Sequence, residues 1–424
     1  VVQRIFVHAD WGGLPHVPLF GVLHARAANG QEVLEFEFAK DALGNARLTG
    51  VTLDPRVGPF EGPQHAPRDR SNFGMFSDAS PDRWGRMLLQ RRLDRLQRAG
   101  VVDKRYRLRE SDYLLGVHDA YRAGGLRFKI EESGPFLDNQ DDTAAPPFVR
   151  LRELEAASLA LEGDAPSADS LEVDAWLRML IAPGGSLGGA RPKASVVDEQ
   201  GRPWIAKFPS IKDDHDVGAW ELVVHSLALA CGLAVSKAQA QKFNSRQHTF
   251  IVRRFDRDES GARRHFASAM TLTDHQDGDD ASTGASYLEL ARVLIDHGTR
   301  TAADLVELWS RIVFNILVSN TDDHLRNHGF MLEPGRGWRL SEAYDMNPVP
   351  DSAGLRLNIS ETDNARDLEL ARSVAPYFRV KKPAAEEIIT RFRRTVAQWR
   401  VIAKRIGISA KEQDWMADAF ALAR

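Results

Sequence analysis

A change of hydrophobic period along this chain constrains its fold more than any other feature. Residues 1–50 alternate apolar and polar, as in Arg4-Ile5-Phe6-Val7 and Val33-Leu34-Glu35-Phe36-Glu37-Phe38, with turn signals at Gly12-Gly13 and Asn29-Gly30. Alternation with period two is the mark of strands buried on one face, so antiparallel strands are expected here. From Pro81 the period turns helical: Trp84 and Leu88 stand four apart, and Leu89, Leu93 and Leu96 continue at helical spacing. A chain that carries both periods in separate stretches is expected to be α+β.

The rest of the chain divides by composition. Residues 131–147 are acidic and end in Pro146-Pro147, which reads as a surface linker. A helical segment follows, from Arg150 to Leu161. Lys193–Val197 and Trp204–Phe208 read as a hairpin turning at Gln200-Gly201, followed by a helix from about Val217 to Ala230 and a strand from His248 to Arg254. The remainder is mainly helical. The expected organisation is a β-rich N-terminal subdomain with a basic helix over 1–130, a linker over 131–147, a second region over 148–256, and a helical region over 257–424. With 424 residues the chain exceeds one ordinary core, and two or three packed units are expected.

Composition excludes several classes. A net charge of −3 rules out a molecule that is basic overall and binds nucleic acid through bulk charge. Residues 82–109 are a local exception, with ten Lys or Arg against three Asp, and a solvated helix face accounts for them most simply. The single cysteine, Cys231, lies in an apolar context, which excludes a disulfide framework and reads as a core residue. No stretch approaches the roughly 20 apolar residues of a membrane span, and a cytoplasmic location is expected.

Three segments carry candidate chemistry. In Gly184-Gly185-Ser186-Leu187-Gly188-Gly189-Ala190-Arg191-Pro192-Lys193, four glycines in six residues precede a strand. Such a run brings backbone N–H groups close to phosphate oxygens. No Gly-Lys-Ser/Thr follows and the next element is a strand, so neither the Walker A nor the Rossmann pattern applies. Lys207 sits among apolar residues on a strand, where an unpaired lysine is unusual. A strand lysine after a glycine loop suits nucleotide phosphates, with Glu221 of the next helix as its partner.

The third segment, Asn320-Thr321-Asp322-Asp323-His324-Leu325-Arg326-Asn327, is the most specific. Asp322 and Asn327 have the spacing of a phosphotransferase loop in which the Asp takes a hydroxyl proton and the Asn binds Mg²⁺. Asp345, in Tyr344-Asp345-Met346-Asn347-Pro348, suits the second metal ligand, since Mg²⁺ usually takes one or two carboxylates beside phosphate oxygens. Asp323 is the rival base, and spacing alone favours Asp322. His324 and His328 stand at i, i+4, but without the Glu arrangement of a zinc helix; His324 is expected to be buried and to hold the loop by hydrogen bonding.

Together these motifs resemble the HipA family, serine/threonine kinase toxins of bacterial toxin–antitoxin pairs. The resemblance covers nearly the whole chain. Ser77-Asp78-Ala79-Ser80-Pro81-Asp82-Arg83-Trp84-Gly85-Arg86 and Gly124-Gly125-Leu126-Arg127-Phe128 match the N-terminal subdomain. The glycine run, Lys207-Phe208-Pro209, Arg254-Phe255-Asp256-Arg257, the Asn320–Asn327 loop and Tyr344–Pro348 match the core.

The resemblance implies a two-lobed protein-kinase-like fold using ATP and Mg²⁺. Asp322 is implied as base, Asn327 and Asp345 as Mg²⁺ ligands, and Lys207 as the phosphate lysine. Nucleotide contacts are implied for Ser186, Leu187, Gly188, Gly189, Ala190, Lys193, Arg253, Phe255 and His324. Ser186 matches the family's autophosphorylated serine, where a dianion among phosphate-binding groups would repel ATP. Arg253 departs from members that carry glutamate there. The implied partners are a small helix-turn-helix antitoxin of the HipB type, operator DNA mainly through that antitoxin, and an aminoacyl-tRNA synthetase as substrate. A kinase of small molecules or lipids, and an inactive co-regulator, are the competing readings.

Overall fold

The computed structural model describes residues 2–424 apart from 29, 68, 138–145, 164–172, 174–175, 178–179, 182–188 and 351. The chain divides into two compact units. The first comprises Val1–Lys212, Asp256–Ala267 and Pro334–Arg336, and the second Asp213–Phe255, Ser268–Glu333 and Gly337–Arg424. The region 148–256, read from the sequence as one stretch, is thus shared between them at Lys212/Asp213.

The first unit is built on the alternating N-terminal sequence. Strands β1 (Val2–Ala9), β2 (Leu19–Ala28), β3 (Gln31–Phe38), β4 (Gln64–His65) and β5 (Leu126–Lys129) form one antiparallel sheet in the order β4-β3-β2-β1-β5. Leu34, Phe36 and Phe38 are buried while Glu35 and Glu37 are not, as period two requires. Phe36 lies at the centre of an aromatic cluster with Phe20, Phe38, Phe73 and Phe76, at ring separations of 5.0 to 6.4 Å. Burying each such ring contributes about 1.5–3 kcal/mol. The alternating reading stops short of residue 50: Lys40–Leu43 and Ala46–Thr49 are helical turns, the second capped by Asn45, whose side chain accepts from the Arg47 N–H.

Helix α1 (Arg83–Arg98) turns Trp84, Leu88 and Leu93 inward and leaves its basic residues outward or half-buried. Asp82 caps it, accepting from Gly85 N at 2.9 Å. Pro81, just before the cap, has no N–H to satisfy and suits this start. Helix α2 (Leu151–Glu162) follows the linker, whose end is fastened by a parallel bridge from Pro147 to Val197. Strands β6 (Lys193–Val197) and β7 (Pro203–Lys207) form the expected hairpin, with Gly201 at φ +73° in its turn.

The Gly124-Gly125 and Asp256-Arg257 motifs meet within this unit. Gly124, at φ +69°, donates its N–H to Asp256 at 3.0 Å. A Cβ on Gly125 would lie 2.6 Å from the Asp10 carbonyl, so only glycine fits. Arg257 binds Asp256 and the Arg122 carbonyl, and Arg127 binds Asp119 and Asp10. Burial pushes the Asp119 carboxyl up, and its bonds with Arg127, with the charges of Arg263 and Arg122, outweigh this and hold it below the usual carboxylate range. This network fastens 256–267 to the N-terminal sheet's unit.

In the second unit, helix α3 (Val217–Cys231) is capped by Asp216, which also accepts from His248 N at 2.8 Å and pairs with His248 Nδ1 at 2.6 Å. Gly232, at φ +85°, ends the helix. Cys231 is buried, and burial pushes its thiol up to about 12, as a core residue requires. Strands β8 (Ala238–Lys242) and β9 (His248–Arg253) pair antiparallel. Helix α4 (Tyr287–His297) begins with a Ser286/Glu289 capping box. Helix α5 (Thr301–Val318) is buried along nearly all of its second half, from Leu308 to Val318. Strands β10 (Gly329–Glu333) and β11 (Gly337–Leu340) form a hairpin after it. Helix α6 (Lys382–Val396) buries Ala385, Ile389, Phe392 and Val396, one helical stripe. Among the described residues no helix is long and apolar enough to cross a membrane.

Candidate active site

The candidate loop is produced by the way α5 ends. Ser319 adopts φ +54° at the C-cap, which turns the chain out of the helix. Asn320 then reaches both ways: its Nδ2 donates to Asn315 Oδ1 at 3.1 Å, and its Oδ1 accepts from Asn347 N at 3.1 Å.

Asp322 and Asp323, equivalent by composition, are separated by their surroundings. Asp322 is exposed. Asp323 is 2% exposed, and its Oδ2 receives Asn315 Nδ2 at 2.8 Å, His328 Nε2 at 2.7 Å and the Tyr287 hydroxyl. Burial, then the Asp323 charge, raise the Tyr287 phenol well above its ordinary value, so it keeps its proton and donates it. A carboxylate so occupied is an anchor for the loop, since a buried charge persists only when paired or hydrogen-bonded. The adjacent Asp322 is the accessible one.

Asn327 is fixed through its own amide. Its Nδ2 donates to the Asp322 carbonyl at 3.1 Å, which leaves Oδ1 buried and without a hydrogen-bond partner among the described residues. An orphaned buried oxygen is an unusual cost, and a hard-oxygen ligand to a cation is one way of meeting it. The residues therefore fit Mg²⁺. Asp345 adopts φ +58°, uncommon outside glycine. Its segment is clasped to the loop by Asn347 N on Asn320 and by the Tyr344 hydroxyl on the Arg326 carbonyl at 2.7 Å. Arg326 also faces Asp277 at 3.8 Å. Phe255 packs its ring against Tyr344 at 5.4 Å. Arg253 ends β9, and its N–H bonds the Lys237 carbonyl at 2.8 Å. Glu221 is buried on α3, with 3% exposure.

One expectation is corrected. His324 is only half-buried, and its Nδ1 has no hydrogen-bond partner among the described residues, so it does not hold the loop through that atom. His328 does, through Asp323. The sequence also passed over Tyr287 and Asn315. Asn315 carries a local signal, a polar residue on an otherwise apolar helix end; Tyr287 carries none.

In the first unit, Lys207 and Lys193 face each other across the β6–β7 ladder and both are buried. The Lys193 ammonium bonds Asp82 and the Gly189 carbonyl, each at 2.8 Å. Ala190 is exposed, just past Gly189. Ser186, Leu187 and Gly188, with Gly184 and Gly185, lie outside the described residues.

Helices and antiparallel sheets of this arrangement define an α+β, kinase-like fold. Residues 185–399 match the model of the HipA-like C-terminal domain, and the chain belongs to that family. A solved complex described as the toxin–antitoxin system HipA, HipB and its operator DNA from Shewanella oneidensis aligns over 100% of this chain and 96% of its own. Its TM-score is 0.63 at 16% identity, a likeness of fold. "Putative kinase Y4dM" of Sinorhizobium fredii is 29% identical over 239 residues, 50% of this chain and 56% of that protein. A Haemophilus influenzae protein, also named as a kinase of that standing, is 29% identical over 116 residues, 26% of this chain and 34% of its own. The matches thus span about a third to about a half of the curated relatives' length.

Proposed function

We propose that this chain is an ATP- and Mg²⁺-dependent serine/threonine protein kinase acting as the toxin of a toxin–antitoxin pair. The observation that carries the reading is the division of labour at the loop: Asp323 is buried under three donors, Asp322 is exposed beside it, and Asn327 keeps one oxygen unpartnered.

In this mechanism Asp322 accepts the proton of the substrate hydroxyl as that oxygen attacks the γ-phosphorus of ATP, and the bond from that phosphorus to the β,γ-bridging oxygen breaks to release ADP. A positioned base of this kind contributes ~10²–10⁴-fold to rate. Asn327 and Asp345 hold Mg²⁺, which when bound neutralises charge on the phosphate oxygens. Lys207 is the phosphate lysine of this reading. Phe255 and the Arg253 backbone border the adenine. Asp323, Tyr287, Asn315 and His328 keep the loop still, so Asp322 meets the hydroxyl without reorganisation.

The family and the solved complex support a HipB-like antitoxin and operator DNA as partners. An aminoacyl-tRNA synthetase is the proposed protein substrate. Ser186 is the proposed autophosphorylation site, and phosphate should be found there by mass spectrometry after incubation with Mg-ATP. Calorimetry tests the cofactor assignment. ATP should bind the wild-type chain more tightly with Mg²⁺ than without it, and Asn327→Ala or Asp345→Ala should remove that difference. Equal Mg²⁺ dependence in the variants would refute the ligand assignment.

A further inference from the structure

We propose that Asp82 and Lys193 are positioning residues for the nucleotide, acting through the Gly189 carbonyl rather than by touching ATP. The inference rests on the kinase reading above and replaces the expectation that Lys193 contacts nucleotide directly.

The Lys193 ammonium is 2.8 Å from Asp82 Oδ2 and 2.8 Å from the Gly189 carbonyl, and the two side chains are 4% and 0% exposed. Asp82 is itself immobilised, because its other oxygen caps α1 through Gly85 N. Trp84, one residue into that helix's first turn, donates its Nε1 to the Lys193 carbonyl at 3.0 Å. Both the backbone and the side chain of residue 193 are therefore tied to the start of α1. The bond to Gly189 carries that fixity to the last residue of the glycine-rich run.

The ladder explains why the second lysine needs an acid. Lys193 is the register partner of Lys207, and directly opposed residues share one face of a hairpin. Two like charges there repel. The Asp82 carboxylate compensates one of them, so the Lys207 charge is not opposed by a free neighbour. A buried ion pair is a weak source of net stability, whereas a charge left by removing one partner is strongly destabilising. What the pair adds over an apolar pair of equal volume is a donor aimed at Gly189.

The test uses the full chain and three variants: Lys193→Met, the double Asp82→Leu/Lys193→Met, and Asp82→Asn. Melting temperature, KM for ATP and kcat are measured for each. The single Lys193→Met should lose both stability and ATP affinity. The double variant, free of an unpaired charge, should regain most of the melting temperature. It should still show KM for ATP raised about tenfold, the weight of about one hydrogen bond to a charged group, with kcat within about threefold of wild type. Asp82→Asn keeps the cap and the volume but leaves the Lys193 charge uncompensated, so its melting temperature should fall while KM rises by about three- to tenfold.

Wild-type KM in the double variant or in Asp82→Asn would overturn the proposal, leaving the pair a charge balance only. A fall in kcat at unchanged KM would overturn it too, by placing Lys193 on the reacting phosphate. A wild-type chain that binds no ATP would remove the kinase reading and this inference with it.

Discussion

Tyr287→Phe removes one oxygen from a fully buried ring and nothing else. The hydroxyl is one of three donors to Asp323 Oδ2, with Asn315 Nδ2 at 2.8 Å and His328 Nε2 at 2.7 Å remaining. A hydrogen bond to a charged group contributes about 1.5–3 kcal/mol. Tyr287 is 0% exposed, so no bulk water replaces the lost donor, and the upper half of that range applies. In a unit of about 200 residues each kcal/mol moves the midpoint roughly 2–4 °C, giving a fall of roughly 4–12 °C. The loop should also loosen, and misplacing a catalytic group by ~1 Å costs ~10²-fold. Thermal denaturation paired with steady-state kinetics reads both effects. The expected result is a lower midpoint and a lower kcat, with KM for ATP little changed. In a cycle with Asp323→Asn the two losses should be less than additive, because the partners share one bond. A midpoint within about 1 °C of wild type together with unchanged kcat would refute the anchor role of Asp323.

Two other outcomes follow from the second unit. Gly218→Ala should destabilise it although alanine favours helix by about 1 kcal/mol. A Cβ there meets the His248 carbonyl oxygen and comes 3.0 Å from its carbon and 3.2 Å from Phe250 N, so β9 must shift at about 1–3 kcal/mol; a stabilised variant in urea unfolding would contradict this. His275 has its imidazole pKa raised above 6.5, first by its bond to Glu289 and then, against the opposing effect of burial, by Asp279. Its contribution is therefore complete below pH 6.5 and lost as pH rises through the folded-state value. The midpoint difference between wild type and His275→Gln should shrink from about pH 6 to about pH 9, and a constant difference would count against it.

What the sequence made legible was local. The period-two run became the N-terminal sheet, and the Asp322-to-Asn327 spacing marked a loop whose two ends are joined by one hydrogen bond. The hairpin at Gly201 was likewise carried by its turn residues. Contacts distant in sequence were not legible. Tyr287 reaches Asp323 across 36 positions and Lys193 reaches Asp82 across 111, with no periodicity to announce either. His324 and His328 are alike by spacing, and only the position of Asp323 in the folded loop selects between them. Strand β8, Ala-Gln-Ala-Gln-Lys, is largely exposed and low in β-branched residues, so its own composition does not call for a strand. Ala46–Thr49 became a helical turn because Asn45 offers a cap that alternation alone does not register.

The central claim is that Asp322, not its neighbour Asp323, is the base of a phosphotransferase. Incubating the full chain with Mg²⁺ and ATP labelled at the γ-phosphate tests it most directly, alongside folded Asp322→Ala and Asp323→Asn variants. The account predicts label transferred to protein by the wild type and none above background with Asp322→Ala. It also predicts residual transfer with Asp323→Asn, accompanied by a lowered melting temperature. Transfer that survives Asp322→Ala, or a wild type that labels no protein, would contradict it.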